Sequence, residues 1–287
     1  MPGAYLELVR PANVATALGD VLAGFAVAGL SPASALPWLL LATACLYAGG
    51  IVLNDVFDRE VDAVERPERP LPSGRVTARH AAALGGLLLA AGILAATLAT
   101  RDAAAVAVAT ALAVLLYDGW SKKYRVLGPV NMGLCRGLNL ALGMAAVPGT
   151  IGAFWPLCLI PLTYIAGVTI LSRGEVSGGR QASVTLSLTL VGTAILAVLF
   201  VGARLERHVW PSVAATAVFA GTVLPAFARA RRTPSPPIIR RAVKQGILSL
   251  VLLDAALATA FAGPGYGLVL LAVALGAIWL GRSFSVT

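Results

Sequence analysis

Apolar runs of transmembrane length recur along almost the whole of this chain, and they leave few folds open to it. A helix of about 20 predominantly apolar residues, within a range of about 17–25, crosses the roughly 30 Å hydrocarbon core of a bilayer. Runs of that kind occupy 11–30, 36–57, 80–100, 103–119, 127–147, 152–172, 183–203, 209–228, 240–262 and 265–281. The fourth is short, so the expectation is nine or ten spanning helices. None shows the polar–apolar alternation of a membrane barrel strand. Of 287 residues, 58% are hydrophobic and 12% charged, against about 25% charged in a soluble domain. So little charge cannot cover a water-facing globule, and lipid is the expected solvent. The 30 glycines suit close helix approach. The expected fold is all-α, a polytopic transmembrane helical bundle forming a single domain over 1–287. Cys45, Cys135 and Cys158 lie in apolar stretches without metal-ligand spacing and are read as packing residues. The opening MPGAYLELVRP lacks the basic-then-apolar order of a cleavable signal, so the chain is read as mature.

The basic residues orient the bundle. With the N-terminus inside, the even-numbered loops carry Arg59, Arg66, Arg69, Arg75 and Arg79, then Lys122, Lys123 and Arg125, then Arg173 and Arg180. The eighth loop adds Arg229, Arg231, Arg232, Arg240, Arg241 and Lys244. The odd loops hold Arg101, Arg204 and Arg207. This asymmetry places the N-terminus and the even loops in the cytoplasm of a cell (inner) membrane protein. It also accounts for the net charge of +9 without nucleic acid, for which no soluble basic domain exists.

Where the second run meets the cytoplasm the chain reads NDVFDREVDAVERPERPLPSG. Spacings of three and four place Asp55, Asp58 and Asp62 on one helical face, with Asn54 beside them. Three carboxylates on one stripe repel, and a cation between them removes that cost. Mg²⁺ takes oxygen ligands and shares its shell with substrate phosphates. Asn54, Asp55, Asp58 and Asp62 are the candidate metal ligands. The plainer reading is a solvated helix end paired with Arg59, Arg66 and Arg69. The Pro-rich remainder cannot be helical and folds back as a cytoplasmic cap. A second cluster, Tyr117-Asp118-x-x-x-Lys122-Lys123, ends the fourth run on the same side. Its lysines suit phosphate oxygens, or serve only as topological anchors.

These residues resemble a known family. The aspartate-rich segment is similar to the first motif of the UbiA superfamily of intramembrane prenyltransferases, and Arg10-Pro11-x-Asn13 and Tyr117…Lys122 resemble it too. The resemblance implies a UbiA-like bundle whose loops two, four and six cap one site. It also implies Mg²⁺, an isoprenyl diphosphate donor and transfer of the prenyl group to a lipophilic or aromatic acceptor. On that reading Asp55, Asp58, Asp62 and Arg136 are catalytic. Asn13, Asn54, Arg69, Tyr117, Lys122, Lys123, Asn131, Ser172, Arg173, Glu175 and Arg180 contact substrate. The chain departs from the family at the second acidic motif, where the three acids become Ser172, Glu175 and Gly179. Arg173 and Arg180 stand there as direct phosphate contacts in place of a second metal; alternatively the loop binds no ligand. SRGEVSGGR and LGPVNMGLCRGLNLALGM resemble the EboC-like branch, associated with secondary-metabolite gene clusters. A protein that kept the fold but lost the chemistry, acting as a lipid or metabolite carrier, is the competing expectation.

Ionisable residues at bilayer depth are costly and mark function by default. Asp20, Arg136 and Asp254 are three such groups. Arg136, with Asn131 and Asn139 on its helix, lines the polar end of a cavity or forms a structural ion pair with Asp20 or Asp254. Asn13 either reaches the metal site or caps the first long helix.

Overall fold

The computed structural model describes residues 2–283. Their helices are α1 (Pro2–Val9), α2 (Pro11–Val27), α3 (Leu36–Phe57), α4 (Arg59–Glu65), α5 (Ala78–Ala99), α6 (Arg101–Gly119) and α7 (Leu127–Met144). The second half adds α8 (Thr150–Phe154), α9 (Leu159–Ser172), α10 (Gln181–Leu205), α11 (Val209–Arg232), α12 (Pro236–Ala262) and α13 (Pro264–Ser283). Each of the ten apolar runs falls on helix. Among the described residues, seven helical segments meet both the length and the hydropathy required to cross a membrane: 33–57, 78–99, 101–119, 150–172, 181–205, 209–232 and 236–262. That is fewer than the nine or ten expected from the runs. Two helices account for much of the difference: α2 is shorter, and α7 interrupts its apolar surface with Asn131, Arg136 and Asn139; the last run reaches past the residues whose side chains are described.

Local chemistry sets several boundaries. Thr77 and Thr100 accept from the amides of His80 and Ala103, capping α5 and α6. Proline at the first positions starts α2 and α12. Between α4 and α5, residues 66–77 run as successive turns, as the Pro-rich composition predicts.

Burial places the helices relative to the core. Two thirds of the apolar window of α12 is buried (67%), against 28–44% for the other six spans. α12 is therefore central and the others turn large apolar surfaces outward: Leu87, Leu112, Leu196 and Phe200 are all exposed. A water-facing protein would not leave such side chains uncovered, whereas lipid covers them. α2 and α7 cross with almost no side chain between them. A Cβ on Gly24 would lie 2.1 Å from the Leu140 carbonyl oxygen, and one on Gly143 would lie 2.2 Å from that of Val21. Small residues at the crossing let the two backbones touch. This brings the polar residues of α2 and α7 onto one another.

Candidate active site

The sequence places three carboxylates on one continuous helical stripe, and the structure corrects this. α3 ends at Phe57 and α4 begins at Arg59, with Asp58 at the junction in a non-helical conformation (φ −91°, ψ 3°). The break is slight, because the Asp58 amide still donates to the Asn54 carbonyl and the Asp62 amide to that of Asp58. The three side chains do not share one partner: Asp58 pairs with Lys122, whereas Asp55 and Asp62 share Arg69.

Asp55 is buried and takes Arg10 Nη2 at 2.5 Å and Arg69 Nη1 at 3.5 Å on the same oxygen. Arg69 also reaches Asp62 Oδ2 at 2.7 Å, so one guanidinium bridges two carboxylates. Asp58 takes the Lys122 ammonium at 2.6 Å; that nitrogen lies 3.9 Å from Asp118, which also accepts from Asn54 Nδ2 at 2.7 Å. Arg10 reaches Asp55 from a left-handed backbone position (φ 49°) between α1 and α2, a conformation that costs a non-glycine residue free energy. Burial pushes the Arg10 guanidinium below its ordinary pKa, and the Asp55 carboxylate opposes that shift.

Arg10, Asn54 and Asp118 of this lattice line one end of a cavity of about 250 Å³ between α2, α3, α6, α7, α9 and α12. Asn13, Asn54, Tyr117, Arg136 and Ser172 line it as anticipated, joined by Arg10, Tyr47 and Asp118. Its remaining walls are apolar, including Ile51, Val114, Ile165 and Ile247. Asp55, Asp58, Asp62, Arg69 and Lys122 stand behind the lining, in contact with it through Arg10, Asn54 and Asp118.

Other candidate residues are used differently. Asn131 is buried and donates to Ser121 Oγ. Lys123 is exposed. Arg173 donates to the carbonyls of Lys122 and Tyr124, tying loop to loop, and Arg180 is exposed at the start of α10. None of these four lines the cavity. Glu175 is buried 3.7 Å from Arg66. Its pKa is raised by burial, against the opposing charges of Arg66, Arg240 and Arg69. Gly179 is packed against Val184 and Ile239. Arg136 meets both readings offered for it: it lines the cavity and it pairs with Asp20 at 2.8 Å.

Among the described residues, no three His, Cys, Asp or Glu side chains converge as a ready metal cage. The donor chemistry nevertheless suits a hard cation. Lys122 lies between Asp58 and Asp118, and Arg69 between Asp55 and Asp62, each a positive group shared by two carboxylates. These heads occupy, as stand-in cations, positions suited to a divalent ion with oxygen ligands. Sequence reasoning left Arg10, Tyr47 and Asp118 out of the site. Arg10 and Asp118 lay inside quoted motifs; Tyr47, seven residues before Asn54 and so on the same helical face, carried no motif signal.

Comparison with known proteins gives consistent results. Residues 15–236 match the UbiA prenyltransferase family. Digeranylgeranylglyceryl phosphate synthase of Methanothrix thermoacetophila is 35% identical over 171 residues, 58% of this chain and 61% of that protein. The synthase of the same description from Methanopyrus kandleri is 35% identical, over 61% of this chain and 65% of that protein. Both alignments span less than two thirds of the relative. A UbiA homologue from Aeropyrum pernix shares the fold at a TM-score of 0.73 and 16% identity, covering 85% of this chain and 96% of that one. One from Archaeoglobus fulgidus, bound to DMAPP and Mg²⁺, aligns at 0.66 and 18%, covering 94% and 99%.

Proposed function

The chain belongs to the UbiA prenyltransferase family, and from that premise we propose that it moves an isoprenyl group from an isoprenyl diphosphate to a lipophilic or aromatic acceptor within the membrane. The observation that carries this reading is the cavity: apolar walls inside the bundle, and a mouth built from interlocked carboxylates and cations. A lipid diphosphate has the same two-part character.

On this reading the diphosphate lies at the mouth and the prenyl chain against Ile51, Val114 and Ile165. Asn54, Asp58 and Asp118, with Asp55 and Asp62, would hold Mg²⁺ there, and the metal would neutralise the leaving diphosphate. Lys122, Arg10 and Arg69 exchange their carboxylate partners for phosphate oxygens, forming charge-assisted hydrogen bonds. The apolar walls exclude water from the carbon that loses its diphosphate, and they hold the acceptor beside it. Asn13, Tyr117 and Ser172 orient the two substrates from the lining. The metal belongs to the first acidic motif, because the loop after α9 offers only one carboxylate, Glu175. α2, α7 and α13 complete a ten-helix membrane bundle of one domain. Its N-terminus and site face the cytoplasm, as the basic loops require. Relatives at 35% identity are described as digeranylgeranylglyceryl phosphate synthases, which favours a long-chain donor.

The test is direct. Purified protein is incubated with labelled C10–C20 isoprenyl diphosphates and a membrane extract, with and without Mg²⁺. Metal-dependent diphosphate release that falls at least about a hundredfold in Asp58→Ala supports transfer. The second reading is an EboC-like carrier that binds without turnover. It draws on the loop after α9, where Ser172, Glu175 and Gly179 replace three acids. Tight binding with no release in the same assay would replace the first reading with this one.

A further inference from the structure

Below the acid lattice, α2, α7 and α12 bring a second polar cluster together in the bundle interior. Asp20 and Asp254 are both fully buried and Arg136 is nearly so. Arg136 Nη1 donates to Asp20 Oδ2 at 2.8 Å, and Asn139 Nδ2 donates to the same oxygen at 2.9 Å. The other Arg136 nitrogen donates to Thr16 Oγ1 and to the Tyr47 hydroxyl. The donors of the cluster are thus directed at Asp20 Oδ2, at two hydroxyls and, from Asn139 Nδ2, at the Ala17 carbonyl. Among the described residues, no donor reaches Asp20 Oδ1 or either oxygen of Asp254. Asp254, on α12, packs against α2 beside Asp20, so tightly that a Cβ on Gly19 would lie 2.7 Å from its Oδ2. Its other charged and titratable neighbours are Arg136 on α7 and Tyr164 on α9, whose hydroxyl donates to the Gly246 carbonyl.

Two facing carboxylates and one guanidinium would leave a net negative charge at bilayer depth and three acceptor oxygens without a donor. Each of these costs several kcal/mol in a low-dielectric interior. One proton cancels the surplus charge and supplies a donor between the two carboxyls, leaving a single neutral carbonyl oxygen of Asp254 without a donor in place of three charged acceptors. A sodium ion would remove the charge as well, but a hard cation needs more oxygen ligands than the three left over.

We propose that Asp20 and Asp254 form an intramembrane proton-holding site. A single proton lies between their facing oxygens, Asp254 is the neutral partner, and Arg136, Asp20 and Asp254 together carry no net charge. Arg136, Asn139 and Tyr47 all line the cavity. With the proton in place, the Arg136 charge is satisfied by Asp20 rather than projected at a ligand, so the inner end of the cavity offers oriented hydrogen-bonding groups without net charge. Asp254 is a positioning residue that acts through Asp20 on Arg136. The proposal does not depend on prenyl transfer and is tested without substrate.

Infrared spectra are recorded of the purified protein in lipid nanodiscs at neutral pH, for the wild type, Asp254→Asn and Asp20→Asn. The wild-type minus Asp254→Asn difference should contain a protonated-carboxyl carbonyl stretch, with no change in carboxylate bands. Asparagine matches the neutral acid in shape, so the melting temperature of this variant should stay within a few degrees. In Asp20→Asn the arginine loses its counter-ion and Asp254 ionises to replace it, so the same acid band should vanish. A difference spectrum in which carboxylate bands disappear instead would overturn the proposal. So would a melting temperature that depends on sodium rather than potassium. If Asp20→Asn does not fold, the Asp254→Asn spectrum decides alone.

Discussion

Asp55 is held by two guanidinium groups while almost wholly removed from solvent, and that makes its partners the most sensitive residues of the site. Arg69 serves Asp55 and Asp62 together. Arg69→Ala leaves two buried carboxylates with one cation fewer, a change that costs about 3 kcal/mol or more, read as a fall in melting temperature in detergent or nanodiscs. Arg10→Ala should have a similar effect on Asp55. Glu175 is the opposite case. Its raised pKa means the folded state binds the proton more tightly than the unfolded chain, so ionising it costs stability. That cost is absent below its unfolded value and grows as pH rises through the window up to the raised value. Glu175→Gln should therefore be more stable than the wild type at neutral pH, with the gap closing on acidification. Arg66, left behind, is about a third exposed and loses little. Thermal melts of both proteins across pH 4–8 check this, and an unchanging gap would count against it. The acid motif itself was legible in the sequence as residue types and spacing. The identity of each counter-ion was not: Arg10 lies 45 positions from Asp55, and Lys122 lies 64 from Asp58.

At the scale of the elements, two glycine contacts decide whether α2 and α7 meet. Gly143→Ala drives a methyl into the Val21 carbonyl at 2.2 Å, and Gly24→Ala does the same at Leu140. Each should cost about 3 kcal/mol or more, and each should also separate Arg136 from Asp20. Gly86, on α5, has nothing within 4 Å of a notional Cβ. Gly86→Ala should gain up to about 1 kcal/mol from helix propensity, so it controls for the general effect of alanine. Helix positions were well marked by the apolar runs, and α5 and α6 start at the threonines that cap them. The junction at Asp58 was not marked. Its residues are ordinary helix formers by spacing, and the cations that pair with Asp55, Asp58 and Asp62 come from other segments of the chain.

Over the whole molecule, exposed apolar faces on α5, α6, α10 and α11 enclose a largely apolar interior centred on α12, in which Asp20, Arg136 and Asp254 form a buried polar cluster. The basic loops assign a direction to this bundle. Single cysteines introduced at Arg79 and Arg207 in a background lacking the three native thiols should report opposite sides: a membrane-impermeant maleimide added outside intact cells should label position 207 and spare position 79. The reverse result would invert the topology. Length, charge scarcity and the spacing of Asn54, Asp55, Asp58 and Asp62 were enough, by themselves, to determine an all-helical membrane protein with an acidic site at one helix end. Those properties are local and periodic, so a linear chain carries them in full. Three matters were settled only by the tertiary structure: which cations neutralise which acids, that Arg173 is tied to backbone carbonyls, and that Asp20 and Asp254 face each other across α2 and α12. These pairings join residues far apart in the chain, and Asp20 and Asp254 meet only as two buried carboxyls where α12 packs on α2 at Gly19. They depend on the depth and rotation at which helices cross, which close backbone contacts set and which no local pattern encodes.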